Sequence, residues 1–164
     1  MRKKYLKTKG FTLIEMLVYL ALFGILISGA VITAYSIFES GNRNSAQIMV
    51  QEEGNFLIAK INWALSSIST ISSPTPSSSS SKLSVVMVDS TTIDIEQSSG
   101  DITMTRDGTT QTLNNSNVSI SDLLFNYGQN GEIEWITSSF TLYTHTADGK
   151  TLSREFQSTK YLRK

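Results

Sequence analysis

Lys7-Thr8-Lys9-Gly10-Phe11-Thr12-Leu13-Ile14-Glu15, continued through residues 16–38 without another charge, is the stretch on which the reading of this chain turns. Five basic residues (Arg2, Lys3, Lys4, Lys7 and Lys9) and no acid precede Gly10. About 20 apolar residues cross the hydrocarbon core of a bilayer as a helix, and residues 16–38 are long enough, interrupted only by Ser28, Thr33 and Ser36. Proline is absent from the segment, and Gly24, Gly29 and several alanines permit close approach of a second helix. Positive charge ahead of the segment keeps the leader cytoplasmic and sends the C-terminal part outward. Glu15 is the anomaly. A carboxylate in an apolar helix costs on the order of 2.5–3.5 kcal/mol at mid-membrane and less towards the interface, and a plain anchor has no need of it. A secretory signal would place a small-residue cleavage site after the apolar core. Only a weak Ser28-Gly29-Ala30 candidate is found there, so the better boundary lies before the core, at Gly10.

The rest of the composition fits an exported chain without enzymatic chemistry. A length of 164 residues leaves room for one domain beyond the N-terminal segment. There is no Cys, hence no disulfide framework and no thiol chemistry. Formal net charge is zero, yet without the leader nine Lys and Arg face fourteen Asp and Glu, a mildly acidic body that argues against broad nucleic-acid binding.

The run Lys9-Gly10-Phe11-Thr12-Leu13-Ile14-Glu15-Met16-Leu17 resembles the class III signal of type IV prepilins and the related type II secretion pseudopilins. It combines a short basic leader, Gly-Phe at the junction and Glu at the matching offset in an apolar helix. The resemblance implies cleavage between Gly10 and Phe11 by a membrane prepilin peptidase and N-methylation of Phe11. Gly10, lacking a side chain, lets a protease approach the backbone closely. It also implies that Glu15 pairs with the N-terminal amine of a neighbouring copy. A buried charge is tolerable only when paired, and losing one partner costs about 3–5 kcal/mol. The plainer alternative is a single-pass anchor whose Glu15 snorkels to the interface. Many major pilins carry a proline mid-way along the apolar half, where this chain has Ile32.

Helical periodicity continues past Phe38. Ala46, Val50, Leu57, Ile61, Ala64, Ile68 and Ile71 share one stripe at about 100° per residue, opposite Gln51, Asn55, Asn62 and Ser66. Pro74 and Pro76 end the pattern. One helix is therefore expected from Phe11 to about Ser72, its apolar half at 11–38 and its amphipathic half at 39–73, following a removed leader at 1–10. Phe56 and Trp63 lie off the stripe and read as core edge in preference to filament contacts. Residues 74–82, rich in Ser, read as a solvated linker.

From residue 83 to 164 the period becomes two, as in Ile93-Asp94-Ile95-Glu96 and Ile102-Thr103-Met104-Thr105. Ser99-Gly100, Asp107-Gly108, Asn130-Gly131 and Asp148-Gly149 favour tight hairpins. An antiparallel meander of six to eight strands covering the amphipathic helix half makes the expected fold α+β and pilin-like.

Nothing points to catalysis, a metal or a cofactor. The lone His145 lacks Cys partners for zinc, and Asp107 and Asp148 occupy turn positions where Asp is expected for backbone reasons. The small basic tail of Lys160, Arg163 and Lys164 reads as a fraying terminus. The expected role is a structural subunit of a type IV pilus or a type II secretion or competence-type pseudopilus. Its partners would be copies of itself, other pilin-like subunits, prepilin peptidase, a cytoplasmic-membrane assembly platform and, before assembly, membrane lipid. The alternative is a membrane-tethered module that binds a ligand through Tyr127, Trp135, Tyr143 and Tyr161, although their positions within strands favour core packing.

Overall fold

A computed structural model describes residues 10–146 and 148–162, so the leader up to Lys9 and the tail residues Arg163 and Lys164 lie outside it. One helix, α1 (Leu13–Ala64), is followed by nine strands: β1 (Ile68–Ser73), β2 (Ser78–Ser80), β3 (Lys82–Met87), β4 (Thr92–Ser98), β5 (Asp101–Arg106), β6 (Thr109–Thr112), β7 (Ser119–Asn130), β8 (Ile133–His145) and β9 (Thr151–Leu162). All strand pairings are antiparallel. The fold is thus α+β, a long N-terminal helix and then antiparallel strands. The chain divides into two compact units between Gly41 and Asn42.

Within the first unit every described residue is exposed, and α1 there is apolar on all sides. Two of its small hydroxyl side chains, those of Ser28 and Thr33, do not need water. Ser28 Oγ donates to Gly24 O at 2.7 Å and Thr33 Oγ1 to Gly29 O at 2.9 Å, so both are satisfied on the helix's own carbonyls, as a lipid environment requires.

The second unit forms two sheets, where the sequence reading expects a single meander. The first runs β1-β3-β4-β5-β6 and the second β2-β7-β8-β9. Inward side chains of both meet one face of α1. Val50, Leu57, Ile61 and Ala64 are fully buried there, with Leu83, Val85, Ile93, Ile95 and Ile102 from the first sheet and Phe125 and Leu142 from the second. Gly54 is buried on the same helix face, and a Cβ on it would stand 2.2 Å from the Phe156 ring. That ring stacks on Phe140 at 5.6 Å between centroids, so helix, β9 and β8 interlock at a point only glycine fits. Glu53 accepts from the Asn115 N–H at 2.9 Å, tying the helix to the loop before β7.

Two boundaries differ from the sequence expectation. The helix stops at Ala64, not near Ser72, because Ser66, Ser67, Ser69 and Thr70 are poor helix interiors whose hydroxyls compete for backbone bonds. Ser66 closes the end, its N–H donating to Trp63 O and its hydroxyl to Asn62 O. Ile68 and Ile71, three apart, imitate a helical stripe, yet they lie on β1. A register shift between Ile68 and Thr70 lets both side chains reach the core in spite of the strand's period of two. The second difference is the Ser-rich segment 74–82, which is not wholly a linker. Ser78, Ser79 and Ser80 pair with Tyr127, Asn126 and Phe125, and Lys82 already begins β3.

All four expected hairpin dipeptides do sit in hairpin turns. Ser99-Gly100 and Asp107-Gly108 are two-residue connections with positive φ at both positions (54° and 86°, 48° and 82°), the geometry whose twist matches the flanking strands. Asp122, also at positive φ (56°), marks the irregularity that joins two apparently separate apolar runs into the single strand β7.

Candidate functional site

The site is the start of α1 and the uncovered helix behind it. Gly10 and Phe11 are exposed and precede the helix, and nothing lies within 4 Å of where a Cβ on Gly10 would be. A protein binding this junction therefore meets open backbone. Phe11 is 73% exposed and packs edge-on against Tyr19, eight residues further along, with ring centroids 6.2 Å apart.

Thr12 and Glu15 form a capping box. The Glu15 N–H donates to Thr12 Oγ1 at 3.3 Å, and in return Glu15 Oε2 accepts from both the Thr12 N–H and the Thr12 hydroxyl at 2.9 Å. Two donors that a helix start leaves unpaired are thereby satisfied, and the carboxylate lies at the positive end of the helix dipole. Both bonds that Glu15 accepts fall on Oε2, which leaves lone-pair capacity on Oε1. The sequence reading assigned Glu15 a partner on another chain and missed this one within its own. The signal was present in the spacing Thr12-x-x-Glu15 ahead of an apolar run.

Behind the cap, Leu13, Leu20, Ile25, Leu26 and Phe38 are each 70–79% exposed. α1 is long and apolar enough to cross a membrane, with none of its most apolar window buried. A continuous apolar surface of this kind meets lipid or another protein.

The amphipathic half of α1 holds a second exposed feature. Phe56 and Trp63 are 44% and 43% exposed, so neither is core edge as the sequence reading preferred. The one core-facing side of this half is filled by Val50, Leu57 and Ile61, which turns residues 56 and 63 outward. Lys60 stands between them, its ammonium 5.9 Å from the Phe56 ring centroid and 5.6 Å from that of Trp63. Such cation–π contacts mask part of both rings.

Of the four strand aromatics, Tyr143 is half-buried on β8 and the other three separate into two groups. Tyr127 is buried and donates to Glu134 Oε2 at 2.7 Å; burial first, then that bond, push its phenol up to about 12. Trp135 and Tyr161 are instead cross-strand partners on the opposite face of β8 and β9, 6.3 Å apart. His145 is exposed at the end of β8. In the turn that follows, Asp148 accepts from Lys150 at 2.7 Å and from the Thr146 hydroxyl, and these bonds bring its carboxyl down to about 2. Among the described residues no group of three or more His, Cys, Asp and Glu could hold a metal ion.

Compared with known families, residues 6–31 match the prokaryotic N-terminal methylation motif. The match spans the junction, the capping box and most of the apolar helix, and gives the chain a type IV prepilin-like class III signal. No curated protein and no solved structure matches the chain.

Proposed function

We propose that this chain is a structural, non-enzymatic subunit of a type IV pilus or of a type II secretion or competence-type pseudopilus. Prepilin peptidase cuts between Gly10 and Phe11 and Phe11 is N-methylated. The subunit waits in the cytoplasmic membrane, its N-terminus cytoplasmic and its β domain outside, and polymerises through α1 with copies of itself and other pilin-like subunits at a membrane assembly platform. The filament then lies at the cell surface or spans the periplasm. The observation that carries this reading is the methylation motif at residues 6–31, set on a helix whose most apolar window is unburied among the described residues.

Two features support it. The junction is exposed and free of side-chain obstruction at Gly10. Phe56 and Trp63 give the amphipathic half of α1 exposed rings of its own, for which a bundle of helices has use and a lone anchored domain has none.

Glu15 supplies the test. Glu15→Gln keeps an acceptor for the capping box but abolishes the charge, and Glu15→Leu abolishes both. Each variant is expected to be cleaved normally and to be lost from sheared filament fractions by about tenfold or more, since an unpaired amine buried among apolar helices costs several kcal/mol. Normal incorporation of Glu15→Gln would remove the intersubunit pair from the account and leave Glu15 as a helix cap.

A further inference from the structure

The outer face of the second sheet combines an aromatic pair with a row of uncharged polar side chains. Even-numbered residues of β8 from Ile136 to Thr144 are buried, so the odd-numbered ones face outward, and the β8–β9 register places odd-numbered β9 residues beside them. At one end of this face stand Trp135 and Tyr161. The indole of Trp135 lies across Gly128 of β7, where a Cβ would come within 2.2 Å of its ring. The glycine thus provides a shelf on which a large ring rests against backbone. Trp135 is half-buried by this seating, while Tyr161 remains 65% exposed.

One step along the strands the aromatic row gives way to a polar one. Thr137 and Thr159 are hydroxyl-to-hydroxyl partners at 3.0 Å, and Asn126 donates from Nδ2 to Ser79 Oγ at 2.9 Å. These four side chains form one row across four strands. Hydroxyls and a carboxamide both donate and accept, so the row offers each polarity of hydrogen bond to a partner lying over it. Among the described outward residues of β8 and β9, Glu155 is the one formal charge.

We infer that this face binds a neutral polysaccharide, with a pyranose ring stacked on Trp135 and flanked by Tyr161, whose ring is inclined 51° to the indole, and the neighbouring sugar's hydroxyls on the Thr137, Thr159 and Asn126 row. The aromatic rings match the apolar C–H face of a sugar, and the amide–hydroxyl row matches its equatorial rim. A nucleic acid or an acidic polymer would require cations, and among the described outward residues of β8 and β9 there are none. A second copy of the chain would gain little from it, because protein interfaces draw on a contiguous apolar centre and this face is mostly hydroxyl and amide. The inference stands apart from the filament reading, since it concerns the β domain of each chain singly.

The test uses the full processed chain in a detergent without a sugar headgroup, titrated calorimetrically with cellohexaose, maltohexaose and chitohexaose, and with polygalacturonate as the charged comparison. At least one neutral hexasaccharide is expected to bind, with affinity unchanged between low and high salt. Trp135→Ala is expected to weaken it about tenfold, the worth of one aromatic stack, and Thr137→Val with Thr159→Val to weaken it several-fold. Because Trp135→Ala also removes a cross-strand pair, the double valine variant, which keeps strand-forming residues, is read beside it with a melting curve for each. The inference is overturned if none of the three hexasaccharides binds or if both variants bind as the parent does. It fails equally if the polygalacturonate affinity is the higher and falls with salt, or if Trp135→Ala changes self-association and not sugar binding.

Discussion

Glu15 closes a capping box with Thr12 inside its own helix, and the same carboxylate is the group proposed to meet the amine of a neighbouring chain. The two roles are compatible because the cap uses Oε2 alone. Gly54 shows how much a single position can hold. Replacing Gly by Ala within a helix ordinarily gains about 0.5–1 kcal/mol. Here the new methyl would overlap the Phe156 ring, itself stacked on Phe140, and forcing extra volume into a packed core costs about 1–3 kcal/mol. The clash wins, so Gly54→Ala is expected to lower the melting temperature of the β domain in the detergent-solubilised chain, and an equal or higher melting temperature would contradict the interlock. Neither this contact nor the Trp135 seat on Gly128 was legible in the sequence, because each depends on which strand lies beside which.

Elements were legible where local chemistry decided them. Four turn dipeptides located four hairpins, since positive φ in a tight connection is cheapest for Gly, the second residue of all four. The end of α1 was not, because Ile68 and Ile71 satisfy a helical period and, with a register shift, a strand's core face as well. The pairing of Ser79 with Asn126 was hidden for a different reason: a strand of serines has no hydrophobic alternation to reveal it. The β8–β9 hairpin turn gives a pH prediction. Hydrogen bonds from Lys150 and Thr146 hold the Asp148 carboxyl at about 2 when folded, against an ordinary 3.8. A depressed folded value means the ionised turn is favoured above the ordinary value and loses that advantage as pH falls through about 2. A carboxyl NMR titration should therefore find the Asp148 midpoint near 2, and Lys150→Ala should raise it. A midpoint near 4, unmoved by that substitution, would show the turn contacts to be absent in solution.

At the scale of the whole molecule, the chain has one structured β domain and one apolar helix that it does not cover itself. The sequence announced both, because a charge-free run and a switch to period two are properties of composition and spacing. It also carries the Lys9–Leu17 run, which lies within the methylation motif matched at residues 6–31 and from which cleavage between Gly10 and Phe11 is proposed. Less legible was the direction in which Phe56 and Trp63 point: off the main stripe they read as core edge, and the packed sheet faces leave them exposed instead. In the proposed reading, the processing event is what turns the chain into a filament subunit. Its direct measurement is the mass of the N-terminal peptide of the chain isolated from cells that express a prepilin peptidase. The account predicts a mature chain beginning at Phe11 with one methyl group on its amine, and a Gly10→Val variant that keeps its leader. A chain that still begins at Met1, or one cut after Ala30 with an unmodified terminus, would contradict it.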